Sequence, residues 1–239
     1  SGKLNLMRED AFKAPPRSRS RTSALLEKIL PLLIYLAAIA EAEWVVTYSD
    51  PNLGAIIYTI IFAALLLHSY LEKGLAAQRL LLSLSLAPLM RIIDVMIPMV
   101  SFYQLYRYIL ISIPLLIATV VVMRVLKMEA EEVRFTLRHI PAQVGVALAG
   151  IPLGLAGYLI LRPQTLIIGL TWWDMVLPGL IFILCTGFVQ ELIFRGVMQR
   201  ASEQVLGKWG ILYISALFGI LSMGQFSALN MLLDRKSVV

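Results

Sequence analysis

Long runs of apolar residues, separated by short polar segments, make up most of the chain. Seven of these runs reach about the 20 residues that a helix needs to cross roughly 30 Å of hydrocarbon. They cover residues 29–48, 53–71, 77–100, 106–126, 143–162, 174–197 and 209–225. Their length favours helices, and none shows the strict alternation that is typical of a membrane strand. The pattern therefore predicts an all-α fold, a polytopic transmembrane helical bundle of about seven spans.

Composition and charge agree with a membrane protein and indicate its orientation. Of the 239 residues 59% are hydrophobic and 15% are charged, whereas about 25% of the residues of a soluble domain are charged. Lys and Arg cluster in the first 28 residues and recur on alternate connections, after the second, fourth and sixth runs. By the positive-inside rule, this distribution predicts a cytoplasmic N-terminus. The lipid bilayer is an expected partner, and no feature of the sequence indicates nucleic acid.

Two ionisable residues lie inside the third apolar run. Arg91 and Asp94 are spaced i, i+3, so they can pair on one face of a helix. Pro88 and Pro98 flank them and predict a kinked helix that faces its neighbours. Intramembrane charges default to a functional hypothesis, but a structural pair explains these two residues more simply and is the interpretation we favour. Their role in shaping a cavity stays open.

The sequence offers few residues for a metal site. His68 and His139 are the two histidines, and neither has a carboxylate or thiol nearby at the spacing of a ligand set. Because a zinc site requires three or four such ligands, both histidines are predicted to be structural. The single cysteine, Cys185, lies in the sixth apolar run and is predicted to serve packing.

A second charged pair lies late in the sixth run, in the sequence GFVQELIFRGVMQR of residues 187–200. Glu191 and Arg195 are spaced i, i+4 with the acid on the N-terminal side, which is the favourable direction for an ion pair on a helix. Gln190 and Phe194 occupy the adjoining stripe of the same helix. Geometry alone leaves two interpretations open: a structural ion pair near a helix end, or a functional site.

The same residues carry a resemblance to a known family. QELIFRG resembles the EExxxRG signature of the CPBP family of intramembrane metalloproteases, the CAAX prenyl endopeptidase and bacteriocin-processing group. In that family a short polar turn and a span with an FxxxH motif follow the signature. Here ASEQVLGKWG supplies the turn and ISALFGILSMG the span, and counting from Phe218 places Ser222 at the histidine position. The resemblance extends over residues 143–225.

The resemblance implies hydrolysis of a peptide bond in or near the bilayer, in a membrane-associated peptide or protein substrate. Family members use glutamate and histidine side chains to hold or activate a water, and zinc or another divalent metal is the implied cofactor. Carried over by position, the family's site residues fall on Gln190, Glu191, Arg195 and Ser222. A glutamine amide cannot act as a general base, and a serine hydroxyl is a poor substitute for an imidazole ligand.

These departures leave the residues present without support for a metal, and two functional expectations follow. The first is a CPBP-like endopeptidase with impaired hydrolysis, in which Glu191 would have to take over as the base. The second is an inactive pseudoenzyme that serves as a membrane scaffold or ligand-binding module. No internal repeat relates the two halves of the chain, so a transporter built from inverted repeats is not favoured.

The chain is expected to have five segments. They are a basic, partly disordered cytoplasmic tail at 1–28, a four-span half at 29–126, an interfacial connection at 127–142, a motif-bearing half at 143–233 and a non-native tail at 234–239. The final hexapeptide, DRKSVV, resembles translated adapter sequence. We therefore expect a truncated gene fragment that lacks the family's later HxxxN/D motif. The expected location is the inner membrane of a prokaryote.

Overall fold

The computed structural model describes residues 21–97, 104–128, 155 and 172–234, and every regular element in these ranges is a helix. The chain divides into two compact units, Ser1–Ala38 and Ile39–Val239, with the division inside the first helix. The elements are α1 Arg21–Tyr48, α2 Pro51–Leu71, α3 Leu75–Leu84, α4 Leu86–Met96, α5 Gln104–Val125, α6 Trp172–Ile181, π1 Phe182–Phe188, α7 Val189–Glu191, π2 Leu192–Met198, α8 Gln199–Leu206 and α9 Trp209–Asp234. The predicted all-α class is confirmed.

Among the described residues, four stretches are long and apolar enough to cross a membrane: Ile29–Tyr48, Pro51–Leu71, Tyr106–Val125 and Val176–Leu206. They coincide with the first, second, fourth and sixth predicted spans. The seventh is represented by a shorter apolar stretch, Trp209–Ser222, and the fifth lies outside the described residues. A count of seven spans is therefore not confirmed. The division into five segments stays a prediction, although α1 begins at Arg21, inside the predicted tail.

The third predicted span is not one helix, and proline is the reason. Pro88 has no N–H to donate to the carbonyl of Leu84, and its ring collides with that carbonyl in a regular helix. The helix breaks at Ser85, between α3 and α4, where the Ser85 hydroxyl donates to the Leu82 carbonyl at 2.7 Å. The break agrees with the predicted kink near Pro88, and a single span at 77–100 is not confirmed. Pro98 lies outside the described residues.

The two faces of α5 differ as expected for a membrane bundle. Exposed positions include Ile113, Ile117 and Val121, which lie about one turn apart. Buried positions include Ser112 and Thr119, whose hydroxyls donate to carbonyls of their own preceding turn. Polar side chains in a bilayer find partners only inside the protein. Together with the four long apolar stretches, this arrangement identifies an integral membrane protein.

The predicted Arg91–Asp94 pair belongs to a larger network of buried charges. Arg91 Nη1 donates to Asp94 Oδ2 at 2.6 Å, which confirms the pair on α4. Arg91 also holds Glu43 of α1 with two donors: Nε donates to Oε2 at 2.8 Å, and Nη2 donates to Oε1. Tyr58 of α2 donates its hydroxyl to the same carboxylate. Arg91 is only 3% exposed and Glu43 only 4%, so water does little to compensate either charge.

Arg107 connects α5 to this network. Its Nη2 donates to Asp94 Oδ1 at 2.7 Å and to the Asp94 backbone carbonyl at 3.0 Å. Two guanidinium groups thus alternate with two carboxylates, and their formal charges cancel. Because an unpaired charge in hydrocarbon is costly, the network joins α1, α2, α4 and α5 at the end of the bundle where α1 ends and α5 begins.

Neither Glu43 nor Arg107 was predicted to take part in this network. The available signal was that Glu43 and Arg107 are each a charged residue within an apolar span, about two turns or less from the end of that span. Glu43 precedes the connection between the first two spans, and Arg107 follows the connection between the third and fourth. Those connections lie at the same end of an up-and-down bundle. The opposite charges of Glu43 and Arg107 could therefore have been predicted to lie near each other.

At the other end of the bundle, α8 and α9 form a tight hairpin. Gly207 ends α8 with φ +60°, a conformation that glycine adopts without steric cost. A Cβ on Gly210 would lie 2.7 Å from both the carbonyl carbon and Oγ of Ser202, so the close approach of the two helices requires glycine. Ser202 is fully buried and donates its hydroxyl to the Gln199 carbonyl at 2.8 Å.

Removing one partner from the buried network should destabilise the protein strongly. Breaking a buried ion pair costs about 3–5 kcal/mol, because the remaining charge is left uncompensated. We expect Arg91→Met to lower the free energy of unfolding by about that amount, measured by denaturant unfolding in mixed micelles. The double variant Glu43→Met/Arg91→Met should be more stable than Arg91→Met alone. Arg200→Met, which removes a 3.4 Å pair with Glu203, is the control. Equal losses in Arg91→Met and the control would contradict this account.

Gly210 and Gly219 of α9 provide a matched test of the hairpin. Gly210→Ala should lower stability by roughly 1–3 kcal/mol, because the added methyl group overlaps Ser202. Gly219 has no atom within 4 Å of a Cβ built on it. Gly219→Ala should therefore leave stability unchanged or raise it by up to about 1 kcal/mol through helix propensity. The same unfolding measurement checks both, and a loss in Gly219→Ala as large as in Gly210→Ala would refute the packing argument.

Candidate functional site

The candidate site lies on one continuous helix with an unusual internal structure. This motif helix comprises the five segments from α6 to α8, residues 172–206. Gln190 and Glu191 belong to α7, a three-residue α-helical segment between two seven-residue π-helices, π1 and π2. The α7 turn is tight, because the N–H of Leu192 donates to the carbonyl of Val189. The motif therefore sits in a narrow turn between two wide ones, and wide turns of this kind are frequent at functional sites.

Two contacts from α5 hold the first wide turn. The Tyr108 and Phe182 rings lie with centroids 4.7 Å apart, at the start of π1. The Ser112 Oγ lies 2.8 Å from the carbonyl oxygen of Cys185, in the middle of π1. Cys185 itself is half-buried, and its side chain is a free thiol. Neither Tyr108 nor Ser112 was predicted to contact the motif helix, and the available signal was a lone serine hydroxyl in an apolar span.

Glu191 and Arg195 form the ion pair that their spacing predicts. Arg195 Nη1 lies 3.1 Å from Glu191 Oε1. Both side chains are largely exposed, 56% for Glu191 and 72% for Arg195. The rest of the protein therefore encloses this pair much less than it encloses the Arg91 network. Arg195 compensates the charge of Glu191 while leaving the carboxylate accessible.

The motif helix meets α9 through two aromatic rings. Phe194 of π2 packs edge-on against Phe218, with ring centroids 5.0 Å apart and planes at 82°. Phe194 is buried and Phe218 is partly exposed. This contact brings together the two family motifs, since Phe194 belongs to QELIFRG and Phe218 begins the segment that resembles FxxxH.

The remaining motif positions, Gln190 and Ser222, are not joined. Ser222 lies one turn beyond Phe218 and donates its hydroxyl to the Phe218 carbonyl at 2.7 Å. Gln190 is half-buried. Within the described part of the chain, no hydrogen bond links Ser222 to Gln190 or Glu191. The single proton of Ser222 thus serves its own helix.

The donors present do not fit the metal that the resemblance implies. A catalytic zinc takes three protein ligands, drawn from His, Cys, Asp and Glu. Of the four motif positions only Glu191 supplies such a side chain. Residues 21–97, 104–128, 155 and 172–234 contain no group of three or more of these residue types that could hold a metal ion. His68 lies in α2, and His139 falls outside the described residues.

Comparison with known proteins agrees with the motif. The family model described as Type II CAAX prenyl endopeptidase Rce1-like matches residues 171–233. The matched segment contains the whole motif helix, all of α9 except Asp234, and all four motif positions. Neither a search of curated proteins nor a search of solved structures gave a match. The resemblance of QELIFRG and its following span to the CPBP group of CAAX endopeptidases is confirmed over residues 171–233.

Proposed function

We propose that this chain is a CPBP-like membrane protein related to endopeptidases, in which the hydrolytic chemistry of the family is impaired. The observation that carries the proposal is the chemistry of two motif positions. Gln190 stands where the signature has its first glutamate, and Ser222 stands where FxxxH has its histidine. The Ser222 hydroxyl is already used, since it donates to the Phe218 carbonyl at 2.7 Å.

Peptide-bond hydrolysis requires a group that removes a proton from the attacking water. A neutral amide cannot accept that proton at ordinary pH, so Gln190 does not replace a glutamate base. The implied metal lacks a fitting ligand set among the described residues, which removes the second usual means of activating water. What the four positions retain is polarity, with Gln190, Glu191 and Arg195 on the motif helix and Ser222 on α9. Such a site suits binding of a polar peptide group better than its cleavage.

A protease with rearranged chemistry is the second candidate, and one observation favours it. The Glu191 carboxylate is 56% exposed, so the protein itself leaves room for a substrate beside it. In that case Glu191 would serve as the general base, and Arg195 would orient it. The inactive alternative, a membrane scaffold or ligand-binding module, requires neither role.

The partners and the membrane location belong to the same proposal. A membrane-associated peptide or protein is the ligand that the family resemblance suggests. The lipid bilayer that surrounds the apolar helices is the second partner. The alternating basic connections support a cytoplasmic N-terminus. The inner membrane of a prokaryote is the location we propose.

Restoring both family residues should separate the two candidates. The purified full-length protein and its variant Gln190→Glu/Ser222→His would be reconstituted in liposomes with a fluorogenic prenylated CAAX peptide. We expect no cleavage by the native chain above that of a heat-inactivated sample, and metal-dependent cleavage by the double variant. Each single variant serves as a control, because a lone change leaves the other position deficient.

The opposite outcome has a defined meaning. If the native chain cleaves the peptide and Glu191→Ala abolishes cleavage, the rearranged protease is correct and impairment is wrong. Arg195→Gln should then alter the pH dependence of cleavage, because Arg195 lies 3.1 Å from that carboxylate.

A further inference from the structure

The first wide turn of the motif helix has a partner on a different helix. Tyr108 and Ser112 lie one turn apart on α5, so they share a face of that helix. That face touches π1 at two points, the Phe182 ring and the Cys185 carbonyl oxygen. Both contacts precede Gln190 in the chain.

The contact between Ser112 and Cys185 serves a backbone group in an apolar environment. Ser112 Oγ lies 2.6 Å from the carbonyl oxygen of Tyr108 and 2.8 Å from that of Cys185, and it has one proton to share between them. Ser112 is 7% exposed, so water is an inferior substitute for either contact. A carbonyl that is shielded from water is stabilised by a donor that reaches it, because an unsatisfied acceptor costs desolvation free energy. The contact with Ser112 therefore stabilises the form of π1 in which the Cys185 carbonyl lies within reach of that hydroxyl.

The alternative donor for that carbonyl is the motif helix itself. A π turn, closed by i→i+5 bonds, holds about one residue more than an α turn closed by i→i+4 bonds. If π1 tightened into an α-helix, each later residue of the motif helix would move into the place that the next residue occupies now. This shift corresponds to a rotation of roughly 100° about the helix axis. The α form is the commoner one in proteins, so a contact that is made only by the wide form shifts the balance toward that form.

We propose that Ser112 is a positioning residue that sets the register of the motif helix. Its hydroxyl holds π1 in the wide form by donating to the Cys185 carbonyl, and the Tyr108–Phe182 contact fixes the start of the turn. This register points Glu191 outward and leaves Gln190 half-buried beside it. The significance of that orientation rests on the proposed function, in which positions 190 and 191 form the site.

A register change has opposite consequences at the two positions. After an advance of one residue, position 190 takes the place that Glu191 occupies now, where the side chain is 56% exposed. Position 191 takes the place of Leu192, which is 8% exposed. A general loosening of the bundle would instead expose both positions. The two cases can therefore be distinguished with one reagent.

Thiol alkylation rates measure this difference. In a Cys185→Ser background, which keeps the carbonyl, two reporters are made: Gln190→Cys/Glu191→Ala and Gln190→Ala/Glu191→Cys. Each is combined with Ser112→Ala, and the rate with a small maleimide is measured in detergent micelles. We expect Ser112→Ala to raise the rate at position 190 several-fold and to lower the rate at position 191 several-fold.

Two matched variants control for the loss of a hydroxyl. Ser112→Thr keeps the donor and should preserve both rates. Thr119→Val removes a buried α5 hydroxyl that donates only to its own helix, at 2.7 Å from the Leu115 carbonyl, and should also preserve both rates. Rates that rise together or stay unchanged with Ser112→Ala would overturn the proposal. The readout requires no cleavage, so it stands or fails independently of whether the chain hydrolyses any peptide.

Discussion

The contact between Arg91 and Glu43 is the constraint on which the described bundle depends most. Arg91 lies on a short helix that follows a proline-induced break, and its two donors reach across to α1. With both side chains almost fully buried, neither charge has an alternative partner in solvent. The positions of α4 against α1 and α2 are therefore set by charge compensation as much as by apolar packing. Asp94 and Arg107 carry the same constraint onward to α5.

From α5 the constraint reaches the motif helix through a second kind of contact. Tyr108 follows Arg107 directly in the chain and packs on Phe182, and Ser112 meets the Cys185 carbonyl one turn later. The network and the motif thus lie on the same connected set of helices, although no charge of the network touches the motif. At the opposite end, α8 packs against α3 and forms its hairpin with α9. The motif helix is consequently held by an aromatic contact and a hydrogen bond from α5 at π1, and by close helix packing at α8.

Sequence reasoning predicted the helical class, the kink at Pro88 and both local ion pairs, because each depends on residues close together in the chain. The i, i+3 pair of Arg91 and the i, i+4 pair of Glu191 follow from helix geometry alone. Long-range partners were missed, since the pairing of Glu43 with Arg91 depends on which helices are neighbours. The π segments were missed for a related reason: the partners of π1, Tyr108 and Ser112, lie on α5, and hydrophobic periodicity carries no record of such long-range contacts. The residue types at positions 190 and 222 follow directly from the sequence, whereas the hydrogen bond from Ser222 to Phe218 is a property of the three-dimensional structure.

The break between α3 and α4 also has a consequence for how the protein enters the membrane. Leu75–Leu84 and Leu86–Met96 are each shorter than the roughly 20 residues that span a bilayer. An arginine near the centre of an inserting segment opposes insertion by about 2.5–3.5 kcal/mol. Its partner Glu43 lies in α1, which is synthesised first and is already a long apolar helix. Because synthesis runs from the N- to the C-terminus, Glu43 enters the membrane before Arg91. Helix α1 can therefore supply the partner that compensates the charge of Arg91 when its segment inserts.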